Sequence, residues 1–166
     1  MSSCPVIRSA ALADLPGITR IYNEAIAERI ATADLEPRTR EDRAEWFKQF
    51  DDRHPIWVGE SEGALVCYGA LHRYSPREGY RLAVENAVYV SAAARGRGYG
   101  RMMLEHVLSE ATSLGFHYML ARIFAHNAAS LKLHEKLGFK HLGLQSQVVN
   151  MDGRWYDVAL MDRLLA

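Results

Sequence analysis

Residues 88–101 place a glycine- and arginine-rich turn between a β-prone run and an amphipathic helical pattern. Backbone N–H groups in the first turn of a helix have no partners within the helix, and the helix dipole adds partial positive charge there. Glycine has no Cβ, so the main chain can approach a ligand closely. A strand, a glycine turn and a helix N-terminus therefore predict an anion site, with phosphate as a typical ligand. The turn reads Arg95, Gly96, Arg97, Gly98, Tyr99, Gly100, Arg101.

Two nucleotide-binding patterns do not fit this turn. The dinucleotide fingerprint G-x-G-x-x-G fails, because its last position is Arg101 when counted from Gly96 and Met103 when counted from Gly98. The P-loop pattern fails because no Gly-Lys-Ser or Gly-Lys-Thr occurs in the chain. On this segment alone, a surface turn with solvated arginines stays open as the alternative.

Charge and cysteine content narrow the class of protein. Twenty basic and twenty acidic side chains balance, so no overall field favours nucleic acid or an anionic membrane. The sequence has no long apolar span and no signal-peptide pattern. Cys4 and Cys67 form no C-x-x-C pair, and no Cys/His cluster has zinc spacing. We therefore expect a cytoplasmic, reduced protein without metal, forming one domain over residues 1–166.

Hydrophobic periodicity predicts the element order β-α-α-β-β-β-α-β-α-β-β, which indicates an α/β fold. We expect a mixed, mostly antiparallel sheet of about seven strands with helices on both faces. Asp14 and Thr39 are expected to cap the first two helices, and Asp152-Gly153 to form a hairpin turn. The predicted strands are 5–9, 56–59, 65–71, 80–90, 118–123, 140–147 and 154–160, and the later helices are 102–114 and 127–137.

A second motif lies in residues 127–139, where a helix begins at Asn127 and ends at Leu137-Gly138-Phe139. By itself it is an ordinary amphipathic helix. It follows the glycine turn after one intervening strand, and together with Arg95-x-x-Gly98-x-Gly100 it resembles the GNAT family of N-acetyltransferases.

Four further segments resemble the phosphinothricin and methionine sulfoximine/sulfone acetyltransferase subgroup. The resemblance implies a single-domain GNAT fold, acetyl-CoA as co-substrate, and transfer to the α-amino group of a small amino-acid analogue. It also implies a homodimer and resistance to antibiotics or herbicides of this type. Ala83 and residues 148–151 depart from the subgroup's pattern, which leaves the acceptor open. The four segments are 22–26, 84–90, 130–134 and 153–158.

The resemblance also implies contacts to acetyl-CoA. The main chain of Val88, Tyr89 and Val90 would pair with the pantetheine arm as an extra strand, and residues 95–101 would bind the pyrophosphate. Asn127 and Ser130 would contact the arm from the other side. For Ser130, a local hydrogen bond at the helix start is the alternative.

Glu85 is the candidate base, because an ammonium must lose a proton before it can act as a nucleophile. A carboxylate within an apolar strand is costly unless it is hydrogen-bonded or functional. By strand alternation Glu85 shares a face with Ala83, Ala87 and Tyr89. It could act directly or through water, and a carboxylate that only orients the amine is the alternative.

His134 is the second catalytic candidate, since many members of the resembled family have a tyrosine at this place. A histidine could reprotonate the CoA thiolate, or it could only pack against the cofactor. A main-chain N–H near Val88 or Tyr89 would stabilise negative charge on the acetyl oxygen. Cys67 lies in an apolar run where a thiolate is disfavoured, so direct transfer is favoured over an acyl-cysteine.

Arginines near Glu85 are the candidates for binding the acceptor. Arg73 and Arg77 precede the strand of Glu85, and a guanidinium binds a carboxylate through two hydrogen bonds. A loop of solvated charges is the alternative. Asn23 would line the acceptor wall, with Arg81, Arg29 and Thr32 as further candidates. Acetylation of a protein N-terminus or lysine, and non-catalytic acyl-CoA binding, stay open as other functions.

Overall fold

The computed structural model describes residues 4–165, which form four α-helices and seven strands. Three single-turn 3₁₀ helices lie between them. No helix among the described residues is long and apolar enough to cross a membrane. The strands are β1 (Val6–Ser9), β2 (Ile56–Ser61), β3 (Ala64–Arg73), β4 (Ala83–Val90), β5 (Tyr118–Phe124), β6 (Lys140–Met151) and β7 (Arg154–Leu164). The helices are α1 (Leu15–Glu28), α2 (Arg40–Phe47), α3 (Tyr99–Ser113) and α4 (Ala128–Lys136).

All seven strands belong to one sheet, in the order β1-β2-β3-β4-β5-β7-β6. Neighbouring strands pair antiparallel except β4 and β5, which run parallel. A parallel pair needs a crossover, and α3 provides it. The predicted element order and the mixed, mostly antiparallel sheet are confirmed.

Strand β3 explains why helices cover both faces of the sheet. Its side chains alternate, so Cys67 and Leu71 point to one face while Tyr68 and Ala70 point to the other, and all four are buried. Helix α3 packs on the face of Cys67, which we call the α3 face. Helix α1 packs on the face of Tyr68, which we call the α1 face. The continuous apolar run in the sequence therefore reflects burial on both sides, as predicted.

Three local predictions need correction. Strand β4 begins at Ala83 rather than at residue 80, because residues 78–80 form a 3₁₀ turn. Strand β6 continues to Met151, because its pairing with β7 resumes after an irregularity that includes left-handed Gln147 (φ 51°). The Asp14 carboxylate accepts from Arg8 and from the Ala11 N–H, and makes no cap hydrogen bond to α1.

Two other local predictions are confirmed. The Thr39 hydroxyl accepts from the Asp42 N–H at 3.1 Å, and the Asp42 carboxylate accepts from the Thr39 N–H at 2.9 Å. This reciprocal pair satisfies two N–H groups and fixes the start of α2. Asp152 and Gly153 both have positive φ, of 52° and 79°, and form the β6–β7 hairpin turn.

The sheet opens between β4 and β5. These strands pair over only three residues each, Ala83–Glu85 with Tyr118–Leu120. Beyond that point β4 stays paired with β3, and β5 stays paired with β7. We call the resulting opening, between residues 86–90 and residues 121–124, the cleft. The glycine turn follows directly at the end of β4.

Candidate active site

The cleft is lined by main-chain groups of β4. The Ser91 N–H donates to the Val66 carbonyl at 2.8 Å, and β3 and β4 stay in register down to Val84 without a bulge. In an antiparallel pair, residues that bond to the partner strand alternate with residues that direct N–H and C=O the other way. Tyr89 therefore bonds to β3, while Val88 and Val90 direct their main-chain groups into the cleft.

This register corrects one sequence prediction. The sequence resemblance predicts Tyr89, together with Val88 and Val90, as a main-chain contact for the pantetheine arm. Its N–H and C=O belong to the β3 ladder, and its ring lies on the α1 face. Of the two N–H groups considered for the acetyl oxygen, only that of Val88 faces the cleft.

The glycine turn has the backbone geometry of an anion site. Gly96 and Gly98 have positive φ, of 76° and 82°, a conformation that other residues rarely adopt. Gly98 is the N-cap of α3 and offers no side chain to the free N–H groups of the first helical turn. Those N–H groups and the dipole of a 15-residue helix are left for a ligand.

The arginines of the turn have unequal surroundings. Arg95 donates to Glu28 on α1, and also to the Val90 carbonyl at 3.4 Å. Arg101 pairs with Glu105 one turn further along α3, at 2.8 Å. Arg97 is exposed. Since carboxylates partly neutralise two of the three charges, the main-chain N–H groups are the strongest feature of this site.

Glu85 lies on β4 at the point where the strands part. It is the last β4 residue paired with β5, and its side chain is 25% exposed. Burial raises the pKa of the carboxyl above its ordinary value, while Arg122, whose Nε lies 3.6 Å from Oε2, lowers it in part. A carboxylate with a raised pKa is a stronger base than an exposed one. Its predicted face, shared with Ala87 and Tyr89, is confirmed.

His134 is buried on α4, with oxygen atoms near both of its ring nitrogens. Nδ1 lies 2.8 Å from the Ser130 carbonyl oxygen, and Nε2 lies 3.3 Å from Asn86 Oδ1. A doubly protonated ring would donate to both oxygens, whereas burial lowers the pKa of His134 and favours the neutral ring. Hydrogen bonding to the neighbouring oxygen atoms therefore favours the charged ring, whereas burial favours the neutral ring.

The sheet separates the two catalytic candidates. Glu85 and Asn86 are consecutive on β4, so their side chains point to opposite faces. His134 contacts Asn86 and lies on the α3 face, while Glu85 lies on the α1 face. The cleft is the opening that connects the two faces beside Glu85.

Asn127 and Ser130 begin helix α4 and have local partners. Asn127 Oδ1 accepts from the Ser130 N–H at 3.2 Å, and Asn127 Nδ2 donates to the Ile30 carbonyl at 3.3 Å. Ser130 Oγ lies 3.4 Å from His134 Nδ1. The asparagine caps α4 and ties it to the segment after α1, and the serine hydroxyl contacts the catalytic candidate on the same helix.

A cavity of about 470 Å³ opens on the α1 face, beside Glu85. His72, which pairs with Glu85 across β3 and β4, lines it, as does Ala87 two residues further along β4. Its other walls come from α1, α2 and the segment between them. The aromatic and basic lining residues are Tyr22, Tyr68, Tyr89, Trp46, Arg38 and Arg43.

The titratable groups of β3 and β4 in the cavity are neutral at physiological pH. Burial raises the pKa of Tyr68 and of Tyr89 well above the ordinary tyrosine value. Burial, and after it the charge of Arg43, lower the pKa of His72 to about 4. The cavity therefore offers hydroxyl groups, an uncharged imidazole, guanidinium groups and the carboxyl groups of Asp34, Glu41, Asp42 and Glu45.

The structure does not bring the predicted acceptor residues into this cavity. Arg73 lies on the α3 face and donates to Asp51. Arg77 is exposed beside the 3₁₀ turn before β4. Asn23 accepts from the Arg38 N–H at 2.8 Å and donates to the Arg38 carbonyl at 3.1 Å, so its amide holds the connection between α1 and α2.

Sequence reasoning missed Arg43 and His72, which take part in the cavity instead. Arg43 stands three residues before Trp46, and residues with this spacing are neighbours on a helix. That spacing was the available signal. It was weak, because an arginine in a polar helix is usually solvated.

Comparison with known proteins agrees with this geometry. The sequence model of the acetyltransferase (GNAT) family matches residues 18–139. The L-methionine sulfoximine/L-methionine sulfone acetyltransferase of Pseudomonas aeruginosa is 38% identical over 157 residues, which are 93% of this chain and 91% of that protein.

Two solved structures have nearly the same fold. A phosphinothricin acetyltransferase from Sinorhizobium meliloti in complex with acetyl-CoA has a TM-score of 0.94 at 34% identity, covering 99% of this chain and 90% of that one. A ribosomal-protein-alanine N-acetyltransferase from Brucella melitensis has a TM-score of 0.93 at 38% identity, covering 96% of this chain and 99% of that one.

The donor groups of this chain fit acetyl-CoA. The free N–H groups at α3 suit a pyrophosphate, and the main-chain groups of Val88 and Val90 suit an arm that itself contains amides. When bound, acetyl-CoA supplies the acetyl thioester. The protein is a member of the GNAT family of acetyltransferases and uses acetyl-CoA as its co-substrate.

Proposed function

We propose that this acetyltransferase acts on the α-amino group of a small amino-acid acceptor. We also propose that residues 1–166 form one domain. Acceptors of the phosphinothricin and methionine sulfoximine or sulfone type fit best. The observation that carries the proposal is the cavity of about 470 Å³ beside Glu85. Sites for small molecules commonly enclose about 300–1,000 Å³. The names of the relatives from Pseudomonas aeruginosa and Sinorhizobium meliloti support the same class of acceptor.

Glu85 is assigned as the general base for the acceptor amine. The amine enters from the cavity on the α1 face, and Glu85 stands where that face meets the cleft. The α-ammonium group of a free amino acid has an ordinary pKa roughly one to three units above neutral, so it must lose a proton before attack. The raised pKa of Glu85 makes it a better proton acceptor at neutral pH.

His134 and Val88 are assigned to the other side of the reaction. The Val88 N–H, directed into the cleft, stabilises negative charge that develops on the acetyl oxygen. His134, on the α3 face, returns a proton to the thiolate, and Ser130 and Asn86 hold its ring in place. Glu85 takes a proton on one face and His134 supplies one on the other. The C–N bond forms as the C–S bond breaks, and the thiolate takes its proton from the charged form of His134, which solvent then reprotonates.

Co-substrate binding is assigned to the main chain of the cleft and of the glycine turn. Val88 and Val90 pair with the pantetheine arm, and residues 95–101 hold the pyrophosphate. Asn127 and Ser130 lie at the start of α4, across the cleft from β4, and contact the arm. Tyr99 and Gly100, in the first turn of α3, add N–H groups to the anion site.

The test is a thiol-release assay with acetyl-CoA and a panel of amines. The panel holds phosphinothricin, L-methionine sulfoximine, L-methionine sulfone, ordinary amino acids, and peptides with a free N-terminal alanine. We expect the highest kcat/KM for the sulfone, the sulfoximine or phosphinothricin. Activity on peptides alone would refute the proposal.

Acetylation of a protein N-terminus is the second candidate, because of the neighbour from Brucella melitensis. The cavity of this chain argues against it. Helix α2 and the segment before it wall the cavity, and Asn23 holds that segment through the Arg38 main chain. A peptide needs an open groove, so the peptide arm of the panel separates the two functions.

A homodimer is also part of the proposal, with β6 and the β6–β7 hairpin as its contact. Strand β6 is the outer strand of the sheet, and it carries large apolar side chains that are half exposed or more. Such a strip on an edge strand favours association. Sedimentation equilibrium should give twice the chain mass, and Leu144→Asp should shift it toward the monomer. The strip consists of Leu142, Leu144 and Val148 on β6, continued by Trp155 on β7.

A further inference from the structure

Arg43 is a buried arginine stacked between two aromatic rings. Only 4% of the residue is exposed. Its guanidinium carbon lies 3.6 Å from the Trp46 ring centroid and 4.3 Å from the Tyr22 ring centroid. The two rings fix the plane of the guanidinium group, so that its N–H groups point outward along its edge.

The hydrogen bonds of Arg43 are incomplete. Nε is buried and has no hydrogen-bond partner among residues 4–165. One terminal nitrogen reaches the Tyr68 hydroxyl, at the long distance of 3.5 Å. The neighbouring carboxylate, Asp34, is already bound by Arg38 and by the Tyr22 hydroxyl. A desolvated donor without a partner is costly, and a desolvated charge more so.

The carboxyl groups that line the cavity belong to α2 and to the segment before it, whereas the lining residues of β3 and β4 carry no charge at neutral pH. Tyr68 and Tyr89 are held as neutral phenols, and His72 as neutral imidazole. A guanidinium group stays protonated in proteins. Glu85 lies beside this wall without lining the cavity, and among the described residues no carboxylate hydrogen-bonds to the Arg43 guanidinium, whose Nε stays unpaired.

We propose that Arg43 binds an oxygen-bearing group of the acceptor, either its carboxylate or the polar oxygens at the end of its side chain. This rests on the proposed function, since the acceptor enters the cavity that Arg43 lines. The planar, ring-stacked guanidinium offers N–H groups in the fork that carboxylate, phosphinate and sulfone oxygens accept. Arg43 is thus a specificity residue, and Glu85 handles the amine.

The test compares three acceptors that differ in their oxygen groups. L-Methionine sulfone has both a carboxylate and sulfone oxygens. 3-(Methylsulfonyl)propylamine lacks the carboxylate, and L-methionine lacks the sulfone oxygens. kcat/KM is measured for each with the wild-type protein and with Arg43→Met, whose side chain keeps apolar contact with the two rings. Intrinsic differences between the amines cancel in such a cycle.

We expect Arg43→Met to reduce the preference for L-methionine sulfone over one truncated acceptor by about 10- to 100-fold, mainly through KM. The truncated acceptor for which the preference is lost identifies the group that Arg43 binds. Binding of acetyl-CoA, measured by calorimetry, should not change. A purely structural role for Arg43 would lower activity on all three acceptors alike.

Arg53→Met is the matched control. Arg53 also stacks on a ring, 4.6 Å from the Phe116 centroid, but lies outside the cavity. This variant removes one positive charge and one cation–π contact, and the acceptor preferences should stay as in the wild type. If Arg43→Met does not fold, Arg43→Lys takes its place, because lysine keeps the charge but lacks the planar fork.

Unchanged preferences in both arms, with an active wild-type protein, would overturn the inference and leave the proposed function intact. If the wild type turns over none of these acceptors, the proposed function fails instead. Calorimetric titration with L-methionine sulfone then decides about Arg43. Binding that is present in the wild type and lost in the variant supports the subsite, and absent or equal binding overturns it.

Discussion

The neutral imidazole of His72 predicts how much stability the protein loses in mild acid. Its pKa falls from 6.5 to about 4, first through burial and then through the charge of Arg43. Between about pH 6.5 and pH 4, His72 is therefore mostly protonated in the unfolded chain and mostly neutral in the folded chain. The contribution of this residue to folding is complete above pH 6.5 and is lost as the pH falls toward 4.

The size of this loss follows from the two pKa values. At about 1.36 kcal/mol per pH unit, the full difference corresponds to about 3.4 kcal/mol. Between pH 7 and pH 5 the loss is about 1.8 kcal/mol. Because His72 is partly exposed, solvent screening reduces this, and we expect about 1–2 kcal/mol.

The assay is urea unfolding of the wild type and His72→Phe at pH 7 and at pH 5, followed by circular dichroism. Phenylalanine keeps an aromatic ring against Trp46 and Phe50, whose centroids lie 6.5 and 5.0 Å from that of His72. His54 and His134 titrate in both proteins and cancel. The wild type should lose about 1–2 kcal/mol more than the variant. Equal losses would show that His72 is not held neutral and would refute the reasoning.

Three further predictions concern the cleft and its surroundings. Glu85→Gln should lower kcat/KM by about 10²- to 10⁴-fold and leave acetyl-CoA binding unchanged. The wild-type kcat/KM should rise with pH through a pKa above the ordinary glutamate value. Unchanged turnover in the variant would exclude Glu85 as the base. Because burial disfavours the ionised carboxyl, the same variant should unfold at higher urea concentration at pH 7. Gly98→Ala and Gly63→Ala both place alanine at positive φ (82° and 79°), and each should cost about 1–2 kcal/mol of stability. Only Gly98→Ala should weaken acetyl-CoA binding, and equal binding by both would argue against the anion site. With a thiol reagent, exposed Cys4 should react at once. Cys67 should react only on unfolding, because burial raises the pKa of its thiol to about 11. Rapid reaction of both thiols would contradict the burial of Cys67.

The features that the sequence predicted correctly depend on local geometry. Alternation along residues 83–90 placed Glu85 on the face of Ala87 and Tyr89, because strand side chains have a period of two. The glycine turn was predicted because glycine has no Cβ, and the structure gives Gly96 and Gly98 positive φ. Both signals lie within a few neighbouring residues of the chain.

The features that the sequence did not predict depend on contacts between distant segments. Arg73 and His72 are consecutive, and only the pairing of β3 with β4 determines which of them faces the cavity. The position of Arg73 shortly before β4 in sequence therefore does not determine whether its side chain faces the cavity. Arg43 is about forty residues away from Glu85 in sequence, and its role depends on how α2 packs over β3. Its burial leaves only the weak three-residue spacing to Trp46 as a pattern in the chain, and its missing partner leaves none.

The opening between β4 and β5 also bears on how such a site can change over evolutionary time. The groups that line it along Val88 and Val90 are N–H groups and carbonyls, and every residue carries both except proline, which lacks the N–H. Other β-forming residues can replace these valines without removing a donor or an acceptor. We expect saturation mutagenesis at these positions to be tolerant in general, with proline as the consistent failure. Relatives can thus diverge widely in these side chains while the same ligand-facing main chain persists.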